Sequence, residues 1–242
     1  LKNIRDWNLS QQITWGIRIP AWFKKGSGSW VQGPEISSRD IYVGINSPKG
    51  DGWTQDPDVL TTWFSSGQWP FLALGYPEGR DFKTFYPTDV METGWDILFF
   101  WVARMIMLGV YRTKKVPFKT VYLHGLVRDK DRQKMSKSKG NAIDPLGVAE
   151  QYGTDAVRLA LVIGNLPGND IIISEDKIRG YRNFANKIWN ASRFVLMHVG
   201  DPPAASHITF NAREKALIKK LRILSREITR RMDAFQFHHA AD

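Results

Sequence analysis

The stretch Lys134-Met135-Ser136-Lys137-Ser138 organises this chain; it follows the apolar segment 120–123 and precedes the helix-start signal Asp144-Pro145. Its two lysines supply mobile cations, and its serine hydroxyls and accessible backbone N–H groups supply hydrogen-bond donors. A polyphosphate is the ligand that such a loop suits. Taken alone, however, a turn rich in lysine and serine is more often a solvated loop, so the context has to decide between the two interpretations.

The loop differs from the rigid phosphate loop written G-x-x-x-x-G-K-[ST], in which glycines come before the lysine. Here Gly140 follows both lysines. We therefore expect the cations to come from a mobile loop instead of a glycine cradle. Two aspartates, Asp129 and Asp131, offset part of the local positive charge. That charge is extended by Arg128, Lys130, Arg132 and Lys139.

The elements before the loop predict an α/β fold with a parallel sheet. Residues 82–87 and 120–123 have the composition of strands, and residues 94–111 predict a long apolar helix between them. This order fits a right-handed crossover, which places helices on the faces of a parallel sheet. The almost wholly apolar run 97–103 predicts that the helix is central. Ligands of open parallel sheets lie beyond the carboxyl ends of the strands, so we expect the lysine loop at that edge.

The segments nearer the start of the chain are less regular. Residues 7–12 are predicted to be helical, and glycine and proline break the pattern that follows. Residues 24–52 are rich in Gly, Ser, Pro and Asn, and we interpret them as an insertion or β-hairpin with one strand-like stretch at 41–45. Asp58 is an N-cap candidate for a short helix that continues through residues 59–64.

Helix signals dominate the chain after the loop. Asp144 is predicted to cap a helix that ends at Gly153. Ser174 is predicted to open a long helix and Asn211 to cap the last one. The motif Asp201-Pro202-Pro203 is interpreted as a linker. The apolar positions expected to face inward on the two long helices are Ile178, Tyr181, Phe184, Ile188, Val195, Leu217, Leu221, Leu224 and Ile228.

Composition narrows the function classes. A net charge of +10 over 242 residues favours a polyanionic partner such as nucleic acid, with simple solubility as the alternative. The absence of cysteine excludes disulfides, thiolate metal sites and cysteine nucleophiles. No apolar run approaches the length of about 18 residues that a membrane span needs, so we expect a cytoplasmic protein with no membrane partner. The chain begins without methionine, and we interpret it as part of something larger.

Two adjacent segments resemble the second signature of class I aminoacyl-tRNA synthetases. They are His124-Gly125-Leu126-Val127-Arg128-Asp129 and Lys134-Met135-Ser136-Lys137-Ser138-Lys139-Gly140-Asn141. The resemblance covers nearly the whole chain apart from residues 24–52, and within the family it is closest to the valine-specific branch. Isoleucyl enzymes resemble Gly-Ser-Asp-Gln-His-Arg-Gly-Trp-Phe where this chain has residues 93–101. The other segments that carry the resemblance are 15–20, 58–67, 93–105 and 180–191.

The resemblance implies a fold and a division into domains. Residues 1–143 would form the second half of a Rossmann-like parallel sheet, with 24–52 as an insertion or hairpin. Residues 144–200 would form an α-helical region that contacts the tRNA stem. Residues 201–242 would begin the helical bundle that binds the anticodon. The implied fold class is therefore α/β followed by α-helical segments.

The resemblance also implies site residues. Lys134 and Lys137 would neutralise the charge that builds on pyrophosphate as the valine carboxylate attacks the α-phosphate of ATP, which requires no general base. Trp63 and Trp101 match the aromatic walls of the amino-acid pocket, although core packing is the alternative for each. The residues that match ATP contacts are Gly94 and Asp96 at the ribose, His124 and Gly125 at adenine, and Met135, Ser136 and Ser138 in the loop.

Two of the residues that match ATP contacts also keep an alternative. Asp96 would otherwise be a carboxylate at a helix start, where the helix dipole favours it. His124 would otherwise be a structural histidine. The implied partners are valine, ATP with Mg²⁺, and tRNA(Val), without a structural zinc. The basic residues expected to contact tRNA are Lys177, Arg179, Arg182, Lys187, Lys219, Arg226 and Arg230.

The chain departs from the family pattern in several places. Ile17 stands where relatives often have histidine, and Thr61 where they often have aspartate. The first signature, of the His-Ile-Gly-His type, and the inserted editing domain do not occur in these 242 residues, so we expect the chain alone to be inactive. Two alternatives stay open: a specificity for isoleucine or leucine, and a basic tRNA-binding module that does no chemistry.

Overall fold

The computed structural model describes residues 5–24, 40–199 and 209–242. The chain divides into two compact units, and each is described here by itself. Unit 1 comprises Leu1–Met91 with Ile97–Thr120, and unit 2 comprises Glu92–Asp96 with Val121–Asp242.

Unit 1 begins with short antiparallel strands. The strands are β1 (Ser10–Gln11), β2 (Ile17–Arg18), β3 (Ala21–Lys24), β4 (Ile41–Val43), β5 (Trp53–Gln55) and β6 (Val59–Leu60). One sheet has the order β1-β6-β2 and the other the order β4-β3-β5. The predicted strand within residues 41–45 is confirmed, whereas residues 25–39 of the predicted insertion lie outside the described residues.

Two predictions for this region are wrong, because the segment around Ser10 pairs with the segment around Asp58. Residues 7–12 are not helical, because Ser10–Gln11 pairs with β6. Asp58 does not cap a helix, because its carboxylate accepts hydrogen bonds from the Ser10 hydroxyl and from Gln12 Nε2. The helix α1 begins later and spans Thr62–Ser66.

Aromatic packing turns the next predicted strand into a helix. Residues 82–87 were predicted to be extended, but α3 spans Arg80–Phe85 and follows α2 (Trp69–Leu72). The Phe82 ring lies 5.0 Å from the Tyr76 ring and 4.7 Å from the Tyr86 ring, between centroids. The strand β7 begins only at Thr88 and runs to Gly94.

The predicted apolar helix follows β7, but it is not uniform. A 3₁₀ turn at Trp95–Ile97 leads into a π-helical segment, Leu98–Val102, and then into α4, Ala103–Thr113. Within 97–103 only Val102 is buried, so the expected burial of the whole run is wrong for the described structure. One side of α4 packs against α1 and α2. Val59, Phe71, Val102, Met105 and Phe118 are buried residues of unit 1.

Unit 2 contains the end of β8 (Phe118–His124), which is a neighbour of β7. The predicted strand 120–123 is thereby confirmed. After it, β9 (Val127–Arg128) and β10 (Ile171–Ile172) pair in parallel, with Ile171 opposite Val127. The combination of parallel strands and helices confirms the α/β fold class.

Three helices cover this pair of strands: α5 (Pro145–Tyr152), α6 (Thr154–Val162) and α7 (Glu175–His198). The predicted caps at both ends of the segment are confirmed. Asp144 accepts from the backbone N–H groups of Leu146 and Gly147, and Ser174 accepts from that of Lys177. The core that the helices share consists of Val148, Tyr152, Ala156, Ala160, Ile171, Ile173 and Ile178.

The last helices are α8 (Ala212–Asp233) and α9 (Phe237–Ala241). The predicted cap is confirmed, because Asn211 forms a capping box with Glu214. The expected inward stripe is wrong for most positions, since among its residues only Ile178 is buried and Leu217 is 69% exposed. The predicted linker at residues 201–203 lies outside the described residues. Among the described helices, none combines the length and hydrophobicity of a membrane span.

Candidate active site

The lysine loop, defined here as residues 129–141, is built around the carboxylate of Asp129. That carboxylate accepts from Asn141 Nδ2 at 2.8 Å and from the backbone N–H groups of Asp131 and Gln133 at 3.0 and 2.8 Å. These hydrogen bonds, with the Asn141 amide contributing most, lower the pKa of Asp129 below its ordinary value. Asp129 therefore organises the loop, and the nearby charge of Lys139 contributes to the same lowering of its pKa.

The centre of the loop is also held in place. The backbone N–H of Ser136 donates to Asn141 Oδ1 at 2.9 Å, and the hydroxyls of Ser136 and Ser138 lie 3.0 Å apart. Met135 packs against the core of unit 2. Thus the side chains predicted to contact ATP at Met135, Ser136 and Ser138 also shape the loop. Sequence reasoning emphasised mobility and missed these contacts; the mobility itself stays a prediction.

The two lysines occupy different positions in the loop. Lys134 forms a β-bridge with Arg128, its residue is exposed, and it has no ion pair within the described part of the chain. Lys137 begins the 3₁₀ turn Lys137–Lys139. A cation that is exposed and unpaired can approach a phosphate without first breaking a protein contact.

Gly94 and Asp96 lie together at the end of β7. A Cβ placed on Gly94 would be 2.7 Å from Asp96 Oδ1 and 3.6 Å from His124 Cε1. Any side chain at position 94 would therefore displace the carboxylate of Asp96. The structure brings together three of the residues predicted to contact ATP, with Asp96 exposed to solvent.

His124 is the last residue of β8, and Gly125 follows it. His124 Nδ1 lies 2.8 Å from the Gly125 carbonyl oxygen, and His124 Nε2 lies 3.2 Å from Glu92 Oε1. Sequence reasoning missed Glu92, although its position two residues before Gly94 on one strand face was a usable signal. A Cβ on Gly125 would lie only 1.6 Å from the carbonyl oxygen of Asn169, so this position accepts no side chain.

Asp170 is a second residue that sequence reasoning missed. Its carboxylate accepts from Trp95 Nε1 at 2.9 Å, from the Leu126 N–H at 2.8 Å, and from Arg128 Nε. These three donors, the Trp95 indole first, lower the pKa of Asp170 to about 2. In the sequence, Gly168-Asn169-Asp170 has the composition of an ordinary turn, so no local signal identifies the role.

A cavity of about 400 Å³ opens beside His124 and Gly125. Burial raises the pKa of Tyr122, which lines it, and nearby Glu92 adds to that effect. The Tyr122 ring also contacts Phe237 of α9, with centroids 5.5 Å apart. The cavity walls combine aromatic and polar groups, as small-molecule sites do.

The predicted pocket tryptophans lie in unit 1. The Trp63 ring lies 5.9 Å from the Phe100 ring, and Trp101 Nε1 donates to the Ser66 carbonyl at 3.1 Å. The centroids of the Trp101 and Trp69 rings lie 6.2 Å apart. Both tryptophans are half-buried. These contacts fit a pocket wall and core packing alike, so the pocket role stays a prediction.

The basic residues predicted to contact tRNA fall into three groups. Lys177 points inward, where Nζ donates to the Ile163 carbonyl at 3.0 Å and burial lowers its pKa. Arg179 and Arg230 pair with Asp176 and Glu227. The other four are exposed and form no ion pair with any described residue: Arg182, Lys187, Lys219 and Arg226. No group of histidine, aspartate and glutamate within the described ranges could hold a metal ion.

Comparison with known proteins identifies the class. Residues 1–174 match the family model described as tRNA synthetases class I (I, L, M and V). The chain belongs to this family, as the lysine loop and the strand ends predicted.

Similar curated proteins are valine--tRNA ligases. The enzyme from Dehalococcoides mccartyi (strain CBDB1) is 49% identical over 247 residues, a match that covers 99% of this chain and 27% of the relative. This chain therefore spans about a quarter of the length of the curated relatives. Their description favours the valine branch over isoleucine and leucine.

Solved structures confirm the fold. The leucyl-tRNA synthetase of Agrobacterium radiobacter K84, in a complex with tRNA and LeuAMS, matches with a TM-score of 0.71 at 18% identity, covering 98% of this chain and 35% of that one. Methionyl-tRNA synthetase of Mycobacterium tuberculosis, bound by methionyl-adenylate, matches with a TM-score of 0.63 at 26% identity, covering 82% and 39%. An adenylate in such a neighbour implies ATP use in the family.

Proposed function

We propose that this chain is part of a ligase that activates valine with ATP to valyl-adenylate and then transfers the valyl group to tRNA(Val). The observation that carries the proposal is the lysine loop, shaped by Asp129 and Asn141. It leaves β9 within the same unit as Gly94, Asp96 and the end of β8. The proposed domains are those predicted at 1–143, 144–200 and 201–242.

The proposed mechanism is electrostatic. Lys134 and Lys137 stabilise the charge that develops on the leaving pyrophosphate while the valine carboxylate attacks the α-phosphate. Asp96 accepts hydrogen bonds from the ribose hydroxyls, and Gly94 lets the nucleotide approach the strand closely. His124 and Gly125 face adenine, and Mg²⁺ accompanies ATP. No structural zinc is part of the proposal, since the chain has no cysteine.

The proposed substrates place further demands on the chain. Trp63 and Trp101 would exclude amino acids larger than valine by steric contact, and a hydrophobic pocket separates a missing methylene by only about 1–3 kcal/mol. tRNA would contact the exposed basic residues of α7 and α8, whose charge attracts the phosphate backbone. The proposed compartment is the cytoplasm, where tRNA is charged for translation.

A chimera tests the proposal. In the D. mccartyi CBDB1 valine--tRNA ligase, the matching 247-residue region is replaced by this chain, and amino-acid-dependent ATP–pyrophosphate exchange is measured. We expect exchange with valine at a rate within about tenfold of the parent, and much weaker exchange with isoleucine and leucine.

The parent enzyme and a chimera with a scrambled lysine loop are the controls. A folded chimera that binds tRNA(Val) but gives no valine-dependent exchange would contradict the proposal and support the non-catalytic tRNA-binding module. A preference for isoleucine or leucine would contradict the assignment of valine.

A further inference from the structure

We propose that Asp170 is a positioning residue, whose single carboxylate fixes both the start of the lysine loop and the turn that carries Asp96. The significance for catalysis rests on the proposed function. The structural claim does not, because it concerns contacts within unit 2.

The carboxylate joins three separate parts of unit 2. Oδ1 accepts from the Trp95 indole and from the Leu126 backbone, and Oδ2 accepts from Arg128. The Asp170 side chain is only 19% exposed, whereas the Trp95 side of the cluster lies at the surface. Hydrogen bonds to a charged acceptor contribute more than neutral ones.

Arg128 connects Asp170 to the lysine loop. Arg128 Nη1 donates to the carbonyl oxygen of Arg132 at 3.1 Å, and the Arg128 backbone bridges to Lys134. A guanidinium held by Asp170 thus contacts the turn that precedes the first lysine. Since a planar guanidinium has donors in fixed directions, its orientation sets that of the turn.

Trp95 connects Asp170 to the end of β7. Trp95 lies directly between Gly94 and Asp96, and its indole N–H is held by Asp170 across 75 residues of sequence. Fixing the indole restricts the turn in which the Asp96 carboxylate lies against Gly94. The same carboxylate therefore constrains both the predicted ribose contact and the loop.

The backbone around Asp170 does not depend on its side chain. The N–H groups of Gly168, Ile171 and Ile173 donate to the carbonyls of Leu123, Leu126 and Arg128 at 2.9–3.0 Å. Replacement by asparagine keeps this backbone ladder and an Oδ1 acceptor for Trp95 and Leu126. It turns an amide N–H₂ toward Arg128, however, and removes the charge.

The test is hydrogen–deuterium exchange of the full 242-residue chain without nucleotide, comparing wild type with Asp170→Asn. We expect the loop amides, among them those of Gln133, Ser136 and Lys139, to exchange at least about tenfold faster, because a charge-assisted hydrogen bond is lost. The amides of α5 and α6 should be unchanged. Asp155→Asn is the matched control, since among the described residues Asp155 forms an ion pair with Arg158 alone, on an exposed helix face.

A second comparison separates positioning from general stability. Arg128→Met should accelerate loop exchange like Asp170→Asn, and the double variant should be no faster than either single one. Loop exchange equal to wild type in Asp170→Asn would overturn the proposal, as would equal acceleration across α5, α6 and the loop.

Failure of this inference is distinguishable from failure of the proposed function. The exchange experiment uses no ATP, whereas the proposed function fails only through the valine-dependent activity of the chimera. In an active chimera, Asp170→Asn should lower kcat for exchange about tenfold or more, with little change in the KM for valine. An unchanged kcat would contradict the positioning role.

Discussion

Gly125 lies directly against the carbonyl group of Asn169, so that a Cβ at position 125 would be 1.6 Å from the Asn169 oxygen and 2.2 Å from its carbon. The backbone approach, and not a left-handed conformation, requires glycine here. This contact joins the end of β8 to the segment that carries Asp170. It therefore fixes the end of β8, which β9 and then the lysine loop follow in the chain.

Gly125→Ala should destabilise unit 2 strongly, because neither partner atom belongs to a flexible side chain. We expect a loss of about 3 kcal/mol in the free energy of unfolding, the upper range for overpacking. Urea unfolding followed by tryptophan fluorescence measures it. Gly180→Ala is the matched control, since nothing lies within 4 Å of a Cβ there, and alanine in α7 should stabilise by up to about 1 kcal/mol. A Gly125→Ala protein as stable as wild type would contradict the close contact.

Asn141→Ala should loosen the lysine loop without unfolding the protein. The Asn141 side chain both donates to Asp129 and accepts from Ser136, and each hydrogen bond contributes about 1 kcal/mol. We expect trypsin to cleave within residues 129–141 about tenfold faster, since cleavage follows the population of the open loop. Asn190→Ala, at an exposed position of α7, should leave the rate unchanged. Equal rates for both variants would show that the amide does not hold the loop.

Arg104→Met should stabilise this chain. Arg104 is 5% exposed, and its Nε and Nη1 atoms have no hydrogen-bond partner among the described residues. Burial lowers its pKa, and stacking on Trp7 at 4.0 Å offsets part of the desolvation penalty. Replacing a poorly compensated buried charge by an apolar side chain should raise the unfolding free energy by about 1–2 kcal/mol. Thermal unfolding measures the effect.

The control for that experiment is Arg112→Met, because Arg112 is an exposed residue whose guanidinium lies over Tyr76 at 5.4 Å. This substitution should change the free energy of unfolding by no more than about 0.5 kcal/mol. If Arg104→Met lowers the stability while Arg112→Met does not, the guanidinium of Arg104 has a compensating partner.

Acid should weaken unit 2 through Asp170. Its pKa in the folded protein is about 2, below the ordinary value of 3.8, so between these values the unfolded chain binds more protons than the folded one. The contribution to stability is present above about pH 4 and is lost as pH falls toward 2. Asp170→Asn should make the unfolding free energy less dependent on pH in this window than Asp155→Asn does. Identical slopes in urea titrations from pH 2 to 5 would contradict the assigned cause.

The sequence predicted best where a local interaction decides the structure. Caps at Asp144, Ser174 and Asn211 depend on side chains within three residues of the backbone they bind, so each is visible in a short window. The family resemblance identified the lysine loop and the strand ends for the same reason, because their residues are contiguous.

Long-range contacts explain the failures. The segment 82–87 has strand composition, yet packing of Phe82 between Tyr76 and Tyr86 selects a helix. Asp58 has the sequence context of an N-cap. Its carboxylate, however, accepts hydrogen bonds from Ser10 and Gln12, which lie nearly fifty residues earlier. Asp170 and Glu92 were missed because their partners come from other strands and turns, which a single sequence does not bring together.

In the proposed mechanism, the lysine loop stabilises the transition state of valine activation. In the active chimera, Lys134→Ala and Lys137→Ala should each lower the rate of valine-dependent ATP–pyrophosphate exchange by about 10²–10³-fold, the loss typical of one electrostatic contact to a developing charge. Lys115→Ala, at an exposed position outside the loop, should leave it unchanged.

The exchange rate of the Lys137→Ala chimera, measured beside its tRNA(Val) affinity, is the most direct test. We expect a large loss of exchange with tRNA binding preserved. Unchanged exchange together with weakened tRNA binding would contradict it and would identify the loop as part of a tRNA-binding surface.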